Sequence, residues 1–134
     1  MQTYSEARDV LKDQYKDNNF CAVISLATAF DWSAGKAHRL LKKKGREHGR
    51  GTPMGVILSA MNTALEMTNK KSKMESYFKH ERPTISQFCR MHKKGIYIVT
   101  VAGHILTVKD GVPQDWIDTT RRHRVQFSWH ITEA

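Results

Sequence analysis

Ten residues constrain this chain more than any others. The run Cys21-Ala-Val-Ile-Ser-Leu-Ala-Thr-Ala-Phe30 is apolar on nearly every side, and a helix without a polar face must be covered all round. At 134 residues and 40% hydrophobic content the chain has material for one modest core. This helix therefore belongs at its centre, and a single domain over residues 1–134 is expected. Asp17, Asn18 and Asn19 are the candidate caps for its start.

The rest of the chain divides in two by period. Thr3 and Glu6 have capping-box spacing, and Ala7, Val10, Leu11 and Tyr15 recur on one face, which predicts a first helix over roughly 4 to 16. Ser33 caps a helix over roughly 34 to 44, where Ala37, Leu40 and Leu41 form a narrow apolar stripe beneath a basic face, and Gly45 ends it. Thr52-Pro53 opens a further helix, with Val56, Ile57, Ala60, Met61, Ala64 and Leu65 at helical spacing. Residues 69 to 82 are polar, with a short strand expected near Met74 to Phe78. Pro83-Thr84 with Gln87 then opens a last short helix that Gly95 closes. Beyond Gly95 the period changes: Ile96 to Val101 and His104 to Lys109 are rich in β-branched residues, Asp110-Gly111 is a hairpin signal, and Val125 to Trp129 reads as a final strand. Helices first and antiparallel sheet second is an α+β order, with the Cys21 helix packed on a C-terminal sheet.

The formal charge of +9 attracts nucleic acid, acidic proteins or anionic lipid through its field, without naming one. The longest apolar stretches, Phe20 to Phe30 and Gly95 to Val108, are too short or too interrupted for a bilayer, which takes about 20 apolar residues. The start of the sequence, with Glu6 and Asp9 and no apolar run after Met1, does not read as a signal peptide. A cytoplasmic protein without a membrane partner is expected, its two cysteines, Cys21 and Cys89, both reduced.

A thiol attacks as thiolate, and the free amides and dipole of a helix start favour that form. Cys21 occupies such a start. The same amides, with the side chain of Asn18, Asn19 or Gln14, are candidates to hold an oxyanion. A cysteine nucleophile also needs a base. His104 follows the small pair Ala102-Gly103 and begins a strand that turns back at Asp110-Gly111. A two-residue turn there sets position 104 opposite 117, so Asp118 is the first choice to orient the imidazole and Asp115 the second. A cysteine in an apolar helix is usually core packing and a histidine in a strand usually structural. It is the order of cysteine, histidine and acid that points to nucleophilic catalysis.

That order resembles the papain-like cysteine hydrolases, bacteriocin-processing peptidases among them, and is more similar still to small phage-encoded and bacterial proteins of papain-like type. In those, an Asn-Asp-Cys helix start precedes an Ala-His-x-Leu-Leu helix, a Gly-Arg and Gly-Thr-Pro loop, and a Gly-His strand running into Asp-Gly. The matching residues are Asn19-Phe20-Cys21, Ala37-His38-Arg39-Leu40-Leu41, Gly45-Arg46 with Gly51-Thr52-Pro53, and His104 to Asp118 ending in Arg121-Arg122. Phe20 stands where the pattern has Asp and Ile24 where it has Arg. The resemblance implies a papain-like fold, a peptidase, isopeptidase or amidase with Cys21, His104 and Asp118 as its triad, a peptide or protein substrate, no cofactor, and a phage origin.

Lys36, Arg39, Lys42, Lys43, Lys44, Arg46 and Arg50 form one basic cluster, and Arg121, Arg122 and Arg124 a second. Either offers cations to phosphates, yet no nucleic-acid motif accompanies them, so a solvated face or an acidic protein partner is favoured over nucleic acid. These charges, with the apolar Phe20 and Ile24 beside Cys21, motivate an alternative: a catalytically silent papain-like scaffold that binds and inhibits an acidic host protein or a nucleic-acid complex. Cys89 and His92 are one close pair of metal-ligand types where a structural zinc site usually shows two, and Cys89 beside Phe88 reads as core. Trp32, Trp116 and Trp129 read as residues that close the core.

Overall fold

The computed structural model describes residues 21–47, 52–114 and 122–134. The helix expected over 4 to 16, the caps Asp17, Asn18 and Asn19, and Trp116 lie outside them. Within them the chain is α+β. Helix α1 (Cys21–Phe30) is buried from Ala22 to Phe30, as a helix without a polar face requires. It ends because Asp31 turns into the left-handed region at φ 58° and the Trp32 amide donates back to Ala27 O at 2.9 Å, a Schellman-type close. Helix α2 (Ala34–Lys43) starts on Ser33, whose hydroxyl accepts from the Lys36 amide.

Helix α3 (Met54–Thr68) begins one residue later than expected, with Pro53 in the cap position and no side-chain cap. The Thr52 hydroxyl has another partner, described below. Asn69, left-handed at φ 53°, closes the helix and delivers the chain into strand β1 (Lys70–Ser76). The strand expected at Met74 to Phe78 thus starts four residues earlier and stops at Ser76. A single turn of 3₁₀ helix (Lys79–Glu81) follows. Helix α4 (Ile85–Met91) opens on the expected capping box between Thr84 and Gln87, but it ends at Met91, well before Gly95.

Strands β2 (Ile96–Val101) and β3 (His104–Lys109) have the expected bounds and pair from Ile96↔Lys109 to Val101↔His104. Ala102-Gly103 is therefore itself a tight hairpin turn, with Gly103 at φ 71°. Strand β4 (Val112–Pro113) returns through Asp110 and Gly111, both at positive φ, in the expected register. Strand β5 (Phe127–Glu133) starts two residues after the expected Val125 and runs beyond Trp129.

The sheet order is β1-β5-β2-β3-β4, all neighbours antiparallel. β2 and β3 are apolar on consecutive residues because both faces are covered. Ile98, Ile105, Trp129 and Ile131 pack with α1, α2 and α3, whereas Tyr97, Val99, Leu106 and Val108 pack with Ile85 and Phe88 of α4. Among the described residues no helix is long and apolar enough to cross a membrane.

Candidate active site

The β2–β3 turn fixes where the backbone of β3 can bond. In an antiparallel hairpin, pairs alternate between those that exchange hydrogen bonds and those whose N–H and C=O point outward. Ile105 and Thr107 turn outward, and α1 lies against them. The Ser25 hydroxyl reaches Ile105 O at 3.0 Å and Cys21 O at 2.7 Å, and the Thr107 hydroxyl donates to Ser25 O at 2.7 Å. Ser25 and Thr107 are both buried. Two polar side chains inside apolar runs thus tie the helix to the strand.

The tie brings Cys21 to the head of β3. The imidazole of His104 hydrogen-bonds the Cys21 sulfur, and the backbone amides of Ile105 and Ala22 also donate to it. Burial pushes the Cys21 thiol up. The His104 hydrogen bond, the charge of its imidazolium and the two amides together outweigh that and hold the thiol below its ordinary value. Sulfur and imidazole open on a cleft of about 510 Å³. One wall is Thr52, Pro53, Met54 and Ile57 at the start of α3, and the other is Thr100, Val101 and Gln126 on the sheet side. Thr100 Oγ1 is buried there with no hydrogen-bond partner among the described residues.

The wall formed by Thr52 is held from behind. Arg46 Nε donates to Thr52 Oγ1 at 3.0 Å, and Arg46 is only 4% exposed. Arg46 is therefore not part of a solvated basic face, contrary to the expectation from its place in a basic run: its guanidinium is built into the protein. His38 is likewise buried on α2. Lys36, Arg39, Lys42 and Lys43 are exposed on α2, Lys44 is half-buried, and Arg122 and Arg124 are exposed. Lys36 also sits 4.4 Å over the Trp32 ring. Arg50 and Arg121 lie outside the described residues.

Of the expected catalytic residues, Cys21 and His104 come together. Asp118, Asp115, Asn18, Asn19 and Gln14 lie outside the described residues. Sequence reasoning reached the free amides at the start of α1, to which that of Ala22 belongs, but not the amide of Ile105, because any residue type supplies a backbone N–H. Ser25 and Thr107 did leave a signal, as hydroxyls inside apolar runs. Cys89 is half-buried against the α4 core and lines a different cleft.

This arrangement can form a thiolate–imidazolium pair, deliver the thiolate to a carbonyl held in the cleft, and return a proton to a leaving group. No family model, curated protein or solved structure matches the chain.

Proposed function

We propose that the chain is a papain-like thiol hydrolase, a peptidase, isopeptidase or amidase acting in a reducing cytoplasmic setting. The observation that carries it is the hydrogen bond between Cys21 and His104 at the edge of an open cleft, with backbone N–H groups converging on the same sulfur. Cys21 attacks the substrate carbonyl while its proton resides on His104. The tetrahedral oxyanion is held by the Cys21 amide together with a side chain from Asn18, Asn19 or Gln14, and His104 gives its proton to the leaving amine. Water, deprotonated by His104, then hydrolyses the acyl-enzyme. Asp118 is the residue proposed to orient the imidazole, with Asp115 second.

The test is the pH dependence of alkylation of Cys21, with Cys89 as the internal reference, in wild type and in His104→Ala. Because the Cys21 thiol is held below its ordinary value, it should react at pH values where a free thiol, pKa about 8.5, is still protonated. His104→Ala should move that profile to higher pH, since burial is then opposed by the two amides alone. Equal, slow labelling of both cysteines refutes the hydrolase and leaves the silent scaffold.

A further inference from the structure

On the α4 side of the sheet, away from Cys21, three arginines from separate parts of the chain line one cleft of about 530 Å³: Arg82, Arg90 and Arg124. Segments 82–85 and 123–125 are laced together, Val125 N donating to Pro83 O at 2.7 Å and Ile85 N to His123 O at 2.9 Å. Arg82 and Arg124 are braced on this lacing, while Arg90 stands exposed on α4. Arg124 Nη1 donates to Arg82 O at 2.7 Å, and Arg82 Nε to Tyr77 O at 3.3 Å. Among the described residues no carboxylate forms an ion pair with any of the three; Glu81, in the same cleft, lies 3.7 Å from His80.

Among the described residues three arginines line this cleft against the single carboxylate of Glu81, and anchoring Arg82 and Arg124 to backbone carbonyls readies their remaining N–H groups for an anion. The anion is extended rather than compact. Arg90 is shared with the adjoining cleft, which Lys93 lines together with Asp110, so the cations extend past the first cleft. The nearest uncovered aromatic along the chain is Phe78, which is 76% exposed and caps the 3₁₀ turn whose His80 and Glu81 line the arginine cleft. Guanidiniums in a row next to an uncovered aromatic ring suit a flexible chain of phosphates carrying flat bases. We infer that the face formed by Phe78, Arg82, Arg90, Arg124 and Lys93 binds single-stranded nucleic acid, phosphates on the arginines and a base on Phe78. This face differs from the α2 cluster, where the aromatic among the described residues, Trp32, is buried beneath Lys36.

The test is fluorescence anisotropy of a labelled single-stranded oligonucleotide of about ten nucleotides, titrated with the full chain at several salt concentrations. Contacts to three phosphates give a slope of log affinity against log salt near −2, so affinity should fall about 20-fold between about 50 and 200 mM salt. Arg90→Ala should flatten that slope by about 0.7. Phe78→Ala should weaken binding about tenfold and leave the slope unchanged, the signature of a stacked base. Circular dichroism melting of each variant identifies any that lose the fold. For such a variant, Arg90→Gln or Phe78→Leu is read instead, with the same expected changes. The inference is overturned if no binding is seen at about 50 mM salt, or if Arg90→Ala and Phe78→Ala both bind like wild type. It is equally overturned if Lys42→Ala with Lys43→Ala removes binding while the arginine face is intact, or if an oligoglutamate peptide competes as well as the oligonucleotide.

Discussion

Replacing Thr107 by Val removes one hydroxyl from the tie between α1 and β3 while keeping the shape of the side chain. The bond lost is Thr107 Oγ1 to Ser25 O at 2.7 Å, between residues that are both buried. Ser25 O is not orphaned by the change, because the Thr28 hydroxyl also reaches it at 3.2 Å. The cost should therefore be the net value of one hydrogen bond, about 1 kcal/mol, rather than the larger penalty of a stranded buried acceptor. With a urea dependence of about 2 kcal/mol per molar, the unfolding midpoint should drop by about 0.5 M at unchanged slope. Ser25→Ala is the harsher change: it strips from Ile105 O, which faces away from β2, its side-chain donor among the described residues, and should cost about 1–3 kcal/mol. Because both bonds pass through Ser25, the double variant should fall short of the sum. The same variants, alkylated with iodoacetamide at neutral pH, should label Cys21 more slowly, since the tie sets its sulfur against His104 and the Ile105 amide. A midpoint within about 0.1 M of wild type for Thr107→Val would refute the stabilising role. A lowered midpoint with unchanged Cys21 labelling would mean that the tie supports the fold without positioning the thiol.

Gly103→Ala should destabilise by about 1–2 kcal/mol in the same urea titration, although the added carbon meets nothing within 4 Å, because the cost lies in φ 71° alone; Gly103→Asn should lose less. Thr100→Val removes a buried hydroxyl that has no partner among the described residues, so the unfolding midpoint should rise; a fall would show that the hydroxyl is in fact bonded. Thr52→Val strands the Nε–H of buried Arg46 and should lower stability by about 1–3 kcal/mol in thermal or urea unfolding, whereas Thr52→Ser, which keeps the acceptor, should restore most of it. Cys21→Ala should leave the melt close to wild type and abolish any hydrolysis detected with a peptide library.

The parts of the fold that could be read in advance were those decided locally. Ser33 and the Thr84–Gln87 box are caps that any chain would use, and Asp110-Gly111 makes the turn its φ values demand. Strand β1 is different. Lys-Lys-Ser-Lys-Met-Glu-Ser has little strand propensity and is exposed along almost its whole length. It is a strand because each of its seven residues faces one of β5, from Lys70↔Glu133 to Ser76↔Phe127. The candidate site divides the same way. Cys21 and His104 carry their chemistry in their names, and their meeting follows from a buried helix and a hairpin. The amide of Ile105 cannot be seen in a sequence, and the burial of Arg46 is hidden by the lysines around it. The arginine face is assembled from residues 82, 90 and 124, whose proximity depends on segment 123–125 returning to segment 82–85.

The order of the sheet sets an order of events. β5, the last of the described strands to leave a ribosome, lies between β1 and β2, and among the described residues β1 pairs with no other strand. A nascent chain that has already delivered Cys21 and His104 still has β1 unpaired and one edge of β2 open, and pairing across such sequence distances is slow. The sheet is closed from its middle rather than extended at its rim. The thiol is therefore translated long before the scaffold around it is complete, and until then an exposed strand edge is the nascent chain's main hazard.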